Sequence, residues 1–106
     1  MIYLASPYSD DDPAVREQRF QQVCEYAAEC LRDGIHVFSP IAHAHSIYGL
    51  PSDWQFWQDY DREWIQICSE LWVLKLPGWK DSLGVMEEIL FARKLGKQVT
   101  HREWKP

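Results

Sequence analysis

The sequence predicts an α/β domain of the doubly wound, Rossmann-like type: a parallel sheet of about four strands with helices on both faces. Three observations carry this expectation. Short apolar runs recur at Ile2-Tyr3-Leu4-Ala5, Val37-Phe38, Leu71-Trp72-Val73-Leu74 and Val99-Thr100, as in strands buried on both faces. Longer stretches with apolar residues at three- and four-residue spacing separate them, the alternation of a βαβ chain. Proline and glycine punctuate the junctions. The 106 residues suffice for one domain with one core.

The first run stops at Ser6-Pro7-Tyr8. Asp10-Asp11-Asp12-Pro13 then offers N-cap residues and a proline suited to the first helical turn. That helix is expected to reach Arg32 or Asp33, with Phe20, Val23, Ala27, Cys30 and Leu31 on its buried stripe and Gly34 ending it. Val37-Phe38 is cut off by Ser39-Pro40, and residues 41–51 show no period and read as a loop. Ser52 or Asp53 caps a second helix to about Cys68; Asp81 or Ser82 caps a third that ends at Gly96. Right-handed crossovers give strand order 2-1-3-4.

Bulk properties narrow the function. Net charge is −5, the wrong sign for a phosphate-backbone binder, so no polymeric nucleic acid is expected as partner. A small anionic ligand stays open, because helix-start amides bind phosphate without net basicity. Cys24, Cys30 and Cys68 are odd in number and lack C-x-x-C spacing, as expected of reduced thiols inside helices. The N-terminal apolar run is too short for a secretory signal or a membrane span. A cytoplasmic protein with no membrane partner is the expectation. Six tryptophans in a chain this size suggest aromatic surface at a pocket or a subunit contact. Met86 and Leu90, placed outward on the third helix, point to a homo-oligomer.

In doubly wound sheets ligands bind beyond the carboxyl ends of the strands. Ser6-Pro7-Tyr8, residues 40–45 and residues 77–84 converge on that rim, and they concentrate the polar and aromatic side chains. On the third helix, counting from Val85, the residues Val85, Ile89, Ala92 and Leu95 occupy an arc from about 280° through 0° to 40°. Glu88 falls at about 300°, inside the apolar arc, while Glu87 at about 200° is solvated. A carboxylate on a packing face suits a nucleophile or base; the alternative is a boundary glutamate whose head reaches water. Asp61 likewise interrupts the stripe of Trp54, Trp57, Trp64 and Cys68 on the second helix, with a structural hydrogen bond as its alternative.

Other candidates carry weaker signals. Ser82 and Gly84 open the third helix and suit a phosphate or sugar hydroxyl, or equally a plain cap. His43-x-His45 lacks a third ligand at metal spacing, so no metal is expected, and polar contact to a ligand or a loop role remains. Tyr8 is placed to present its hydroxyl, and Trp79 to stack on or cover a base. Arg16 and Arg19 either reach an anion or are solvated.

Ile2-Tyr3-Leu4-Ala5-Ser6-Pro7-Tyr8 resembles the opening of nucleoside 2-deoxyribosyltransferases and the related deoxynucleoside 5′-monophosphate N-glycosidases. Ser82-Leu83-Gly84-Val85-Met86-Glu87-Glu88, followed by Ala92 and Gly96-Lys97, resembles their signature helix. With Leu76-Pro77-Gly78-Trp79 and residues 40–45, the chain is closer still to a small bacterial and phage group of uncharacterised domains in that superfamily. The resemblance implies a double displacement at the anomeric carbon with Glu88 as nucleophile and no cofactor. It implies that Asp61 assists the leaving base and that Tyr8 stands near the nucleophile. Ser6, Pro7, Pro40, His43, His45, Trp79, Ser82 and Gly84 would surround a nucleoside or nucleotide, Ser82 and Gly84 on the sugar-phosphate side. Glu70 departs from the aspartate often found before the third strand. With the sequence closing just past the last strand, no segment is expected to lend an asparagine to a neighbouring site. Hydrolysis is therefore the easier expectation than transfer, with binding alone as the alternative.

Overall fold

The computed structural model describes residues 1–105. Four strands, β1 (Ile2–Ala5), β2 (Val37–Phe38), β3 (Glu70–Leu74) and β4 (Val99–Arg102), form one parallel sheet in the order β2-β1-β3-β4. Helices α1 (Pro13–Arg32), α2 (Pro40–Ala44), α3 (Trp54–Ile67) and α4 (Leu83–Lys94) connect them. The expected doubly wound architecture and strand order are both present.

Strand side chains alternate between faces, and two cores result. On one face Leu4, Trp72 and Leu74 pack against Val23, Tyr26 and Cys30 of α1. On the other, Tyr3, Ala5, Leu71 and Val73 pack against Ile65 and Cys68 at the α3 end and Val85, Ile89 and Ala92 of α4. β1 is central and fully covered, which makes its few side chains the floor of whatever lies between α3 and α4.

Local signals place the helices. Asp12 caps α1, accepting from the Ala14 amide at 2.9 Å, with Pro13 in the first turn. Gly34 follows its end at φ 79°, a conformation glycine adopts without steric cost. Asp53 caps α3 and Ser82 caps α4. Lys97, just after α4, sends Nζ to the carbonyls of Ile65, Gln66 and Cys68. One cation thereby satisfies the orphan carbonyls at the α3 C-terminus and ties it to α4.

Several expectations are corrected. Residues 40–44 are a short helix rather than loop. The Ser39-Pro40 pair that ends β2 also starts α2, with the Ser39 hydroxyl accepting from the Ala42 amide at 3.0 Å. One turn and a half is too short to display a period. Leu31 and Leu95 are exposed, and Tyr26 fills the α1 core position, its hydroxyl held by Arg102 at 2.9 Å. Trp54 is exposed at the start of α3. Met86 is half-buried against the α4 core, and of the outward pair only Leu90 is exposed. β4 extends through polar His101 and Arg102, as an edge strand can. Cys30 and Cys68 are buried free thiols and Cys24 a partly buried one. Among the described residues no helix is long and apolar enough to cross a membrane.

Replacing Lys97 by Met keeps the aliphatic stem but leaves the α3 carbonyls unpaired. Chemical denaturation of this variant is expected to show a loss of about 1.5–3 kcal/mol, the range for hydrogen bonds to a charged group.

Candidate active site

Tyr3 is the second residue of β1 and its side chain is fully buried beneath α3 and α4. A buried phenol retains a hydroxyl that requires a partner. It finds Glu88: the Tyr3 hydroxyl donates to Oε2 of that carboxylate. Glu88 is partly buried, one turn into α4 between Val85 and Ile89, both in the core. Its position on the packing face, read from helical spacing, is the observed one.

Asp61 meets Glu88 from the middle of α3. Burial raises Glu88 to about 8, with the neighbouring charge of Asp61 adding to the rise and the Tyr3 hydrogen bond opposing it. Burial also raises Asp61 to about 6, against the contacts with Glu88 and Tyr3 that favour its ionised form. Tyr3 is pushed well above the usual phenol value, by burial first and by the Glu88 charge second. Two carboxyls so close in a poorly solvated place hold one proton between them near neutrality. Oδ1 of Asp61 is buried and has no hydrogen-bond partner among the described residues; a shared proton or a ligand hydrogen would satisfy it.

Aromatic rings pack beside Tyr3. Phe38 stacks on Trp64 with ring centroids 4.0 Å apart and tilts toward Tyr3 at 6.2 Å. His43, on α2, leans on Phe38 at 5.7 Å and is otherwise exposed.

The remaining candidates lie along the carboxyl rim of the sheet. Ser6 and Pro7 are buried where β1 ends, and Oγ of Ser6 has no partner among the described residues. Tyr8 does not bond Glu88; its hydroxyl pairs with Nδ1 of His45 at 2.7 Å, and Nε2 of His45 meets Glu17 at 2.6 Å. Tyr3 is the tyrosine at the carboxylate. Pro40 is buried in the first turn of α2. Ser82 spends its oxygen on the Val85 amide at 3.2 Å, and Gly84 is exposed in the first turn of α4. Arg19 donates to the carbonyls of Tyr8, Ser9 and Pro77, stapling the loop after β1 to the loop after β3. Trp79, in a 3-10 turn (Trp79–Asp81), packs against the core on the Tyr3 side of the sheet, with Lys75 and Lys80 over its ring.

A family model described as a domain of unknown function (DUF1937) matches residues 1–104. The chain belongs to this DUF1937 family. No curated protein matches it. The DUF1937 match covers all four strands and the Tyr3, Asp61 and Glu88 positions alike.

Two shallow clefts open elsewhere on this DUF1937 domain. One, of about 420 Å³, runs between Lys75, Trp79 and Trp104; the other, of about 370 Å³, lies between Glu25, Arg32 and Trp104. Neither is lined by Glu88, Asp61 or Tyr3. Among the described residues no group of three His, Cys, Asp or Glu side chains is placed to hold a metal ion.

Tyr3 and Glu17 are the site residues that sequence reasoning missed. Tyr3 gave one usable signal, a hydroxyl inside a four-residue strand that must be buried on both faces. Glu17 gave none, being one of several acidic residues on an exposed helix surface.

The raised carboxyls make stability depend on pH in a stated direction. The folded protein binds a proton that the unfolded chain has already released between the ordinary value of 4.5 and about 8. Stability therefore falls as pH rises through that window. Thermal melts are expected to show a lower midpoint at pH 8.5 than at pH 5.5, by about 4–8 °C for each kcal/mol of linkage. In Glu88→Gln, which keeps the shape without the charge, the midpoint changes far less over the same interval.

Proposed function

We propose that this domain cleaves the N-glycosidic bond of a nucleoside or nucleoside 5′-monophosphate, with Glu88 as nucleophile. The observation that carries the reading is the coupled carboxyl pair, Glu88 and Asp61, beside a buried phenol on the central strand. The resemblance of the β1 and α4 sequences to deoxyribosyltransferases and monophosphate N-glycosidases supports it, as Glu88 is the glutamate that the resemblance selects.

The chemistry follows from one proton shared by two groups. Glu88 is the more strongly raised of the two and holds the shared proton at rest; when that proton passes to Asp61, ionised Glu88 accepts the Tyr3 hydrogen bond and attacks the anomeric carbon. The carbon–nitrogen bond breaks, its electron pair leaves with the base, and the Asp61 proton neutralises the departing nitrogen. A glycosyl ester on Glu88 remains. Asp61, now ionised, takes a proton from water, whose oxygen attacks the anomeric carbon; the bond from that carbon to the Glu88 carboxylate breaks and the sugar is released, as in retaining glycoside hydrolysis. A second base in place of water would make the reaction a transfer.

A nucleotide-sensing module without turnover is the second reading. It is favoured by the two open clefts, which lie away from Glu88.

Chromatography of free bases after incubation with deoxynucleosides and their monophosphates separates the two. Base release is expected, greatest between about pH 6 and about 8, where the pair carries one proton. Glu88→Gln is expected to lower it on the order of 10³-fold or more, as loss of a nucleophile does. Binding with no base released by the native chain would favour the sensor.

A further inference from the structure

Lys97 is bound to the ends of both helices that carry the carboxyl pair. Its backbone amide donates to the Ala92 carbonyl at 3.0 Å, and the Gly96 amide donates to the Arg93 carbonyl at 3.0 Å. With Gly96 at φ 74°, these bonds form a Schellman turn that closes the last carbonyls of α4. The Lys97 side chain then crosses to α3, where its ammonium donates to the carbonyls of Ile65 at 2.9 Å, Gln66 at 2.6 Å and Cys68. An ammonium has three donor hydrogens and no acceptor, and all three are engaged.

Helical spacing relates the points held to the carboxyls. Ile65 follows Asp61 by four residues, and Ala92 follows Glu88 by four. Each held carbonyl therefore belongs to a residue about one turn, or about 6 Å along the axis, from a carboxyl-bearing one. Ile65 and Ala92 are fully buried in the core that also contains Tyr3. A close-packed interior transmits a displacement rather than absorbing it. Burial is the largest cause of the raised values of both carboxyls, so whatever holds α3 against α4 also sets how far the pair lies from water.

Lys97 acts here by position, not by its field. The groups acting on Glu88 are Asp61 and Tyr3, and those acting on Asp61 are Glu88 and Tyr3. The Lys97 charge is felt at Cys68, whose thiol burial raises and the N-terminal amine and Lys97 lower. Cys68 bears on Tyr3 only after burial, Glu88 and Asp61. Arg62 of α3 crosses the same seam to the Phe91 ring at 4.8 Å, a face contact without the directionality of hydrogen bonds.

We infer that Lys97 is a positioning residue for the Glu88–Asp61 pair: by closing the α4 end with its amide and the α3 end with its ammonium, it fixes the depth and separation at which the two carboxyls share a proton. Its bearing on catalysis rests on the glycosidic reading above; its bearing on the pair does not.

The test compares carbon-13 NMR titrations of the side-chain carboxyls in the native chain, Lys97→Met, Lys97→Arg and Cys30→Ala. Cys30 is buried against the opposite face of the sheet and supplies a destabilised control with an intact seam. Lys97→Met is expected to lower the upper step, about 8 at Glu88, by on the order of one pH unit as water enters and burial weakens. The interval between the two steps narrows with it. Lys97→Arg, which returns donors to the α3 carbonyls, is expected to lie between the native chain and Lys97→Met, and it decides alone if the Met variant does not fold. Cys30→Ala is expected to keep the native steps. A native titration in the folded Lys97 variants, or an equal displacement in Cys30→Ala, overturns the inference. In the base-release assay Lys97→Met is expected to lower kcat on the order of 10²-fold with KM little changed, as a misplacement of about 1 Å does. Native base release with the titrations unmoved keeps the glycosidic reading and overturns the role of Lys97. No base released by the native chain removes the glycosidic reading, and the titrations still decide the role of Lys97.

Discussion

The hydrogen bond from Tyr3 to Glu88, with Asp61 pressed against the same carboxylate, is the constraint on which the rest of this structure depends. Two carboxyls between packed helices and a central strand cannot both be ionised without a large desolvation cost. Sharing a proton and accepting the Tyr3 hydrogen bond lowers that cost. The arrangement works only because β1 is central, so that Tyr3 lies beneath both α3 and α4. It also needs the two helices held at a common level. Lys97 supplies one tie, joining the segment after α4 to the last carbonyls of α3. Ile65 and Ile89 supply another, meeting in the core one helical turn beyond Asp61 and directly after Glu88.

The second ordered feature is the rim. β1 and β3 are neighbours whose following helices leave toward opposite faces, which opens the crevice where doubly wound sheets take ligands. Arg19 closes one side of that crevice by holding both loops. α2 closes the other, with His45 bonded to Tyr8 and His43 leaning on Phe38. Polar groups here are largely occupied by one another, and the exceptions, Ser6 Oγ and Asp61 Oδ1, are therefore informative.

Most of the fold was legible in the sequence because the apolar runs and caps agree with each other. Pro13, Gly34, Ser82 and Gly96 mark helix ends by backbone chemistry that tertiary packing does not override. α2 escaped because its five residues span too little helix to show a period, and its Ser-Pro start also reads as a strand stop. Glu88 and Asp61 were legible because a charge on an apolar stripe is conspicuous at helical spacing. Tyr3 was not, because a tyrosine in a strand satisfies the apolar pattern whether or not its hydroxyl has work to do. The Tyr8–His45–Glu17 chain joins residues far apart in sequence, and no spacing rule reports a contact of that kind.

The central claim is that Glu88 and Asp61 titrate as one buried unit. Carbon-13 NMR of the side-chain carboxyls across pH 3–10 measures this directly. The account gives two coupled steps, both above the ordinary carboxylate range, each visible at both residues. Independent single steps near the ordinary values for glutamate and aspartate would contradict it.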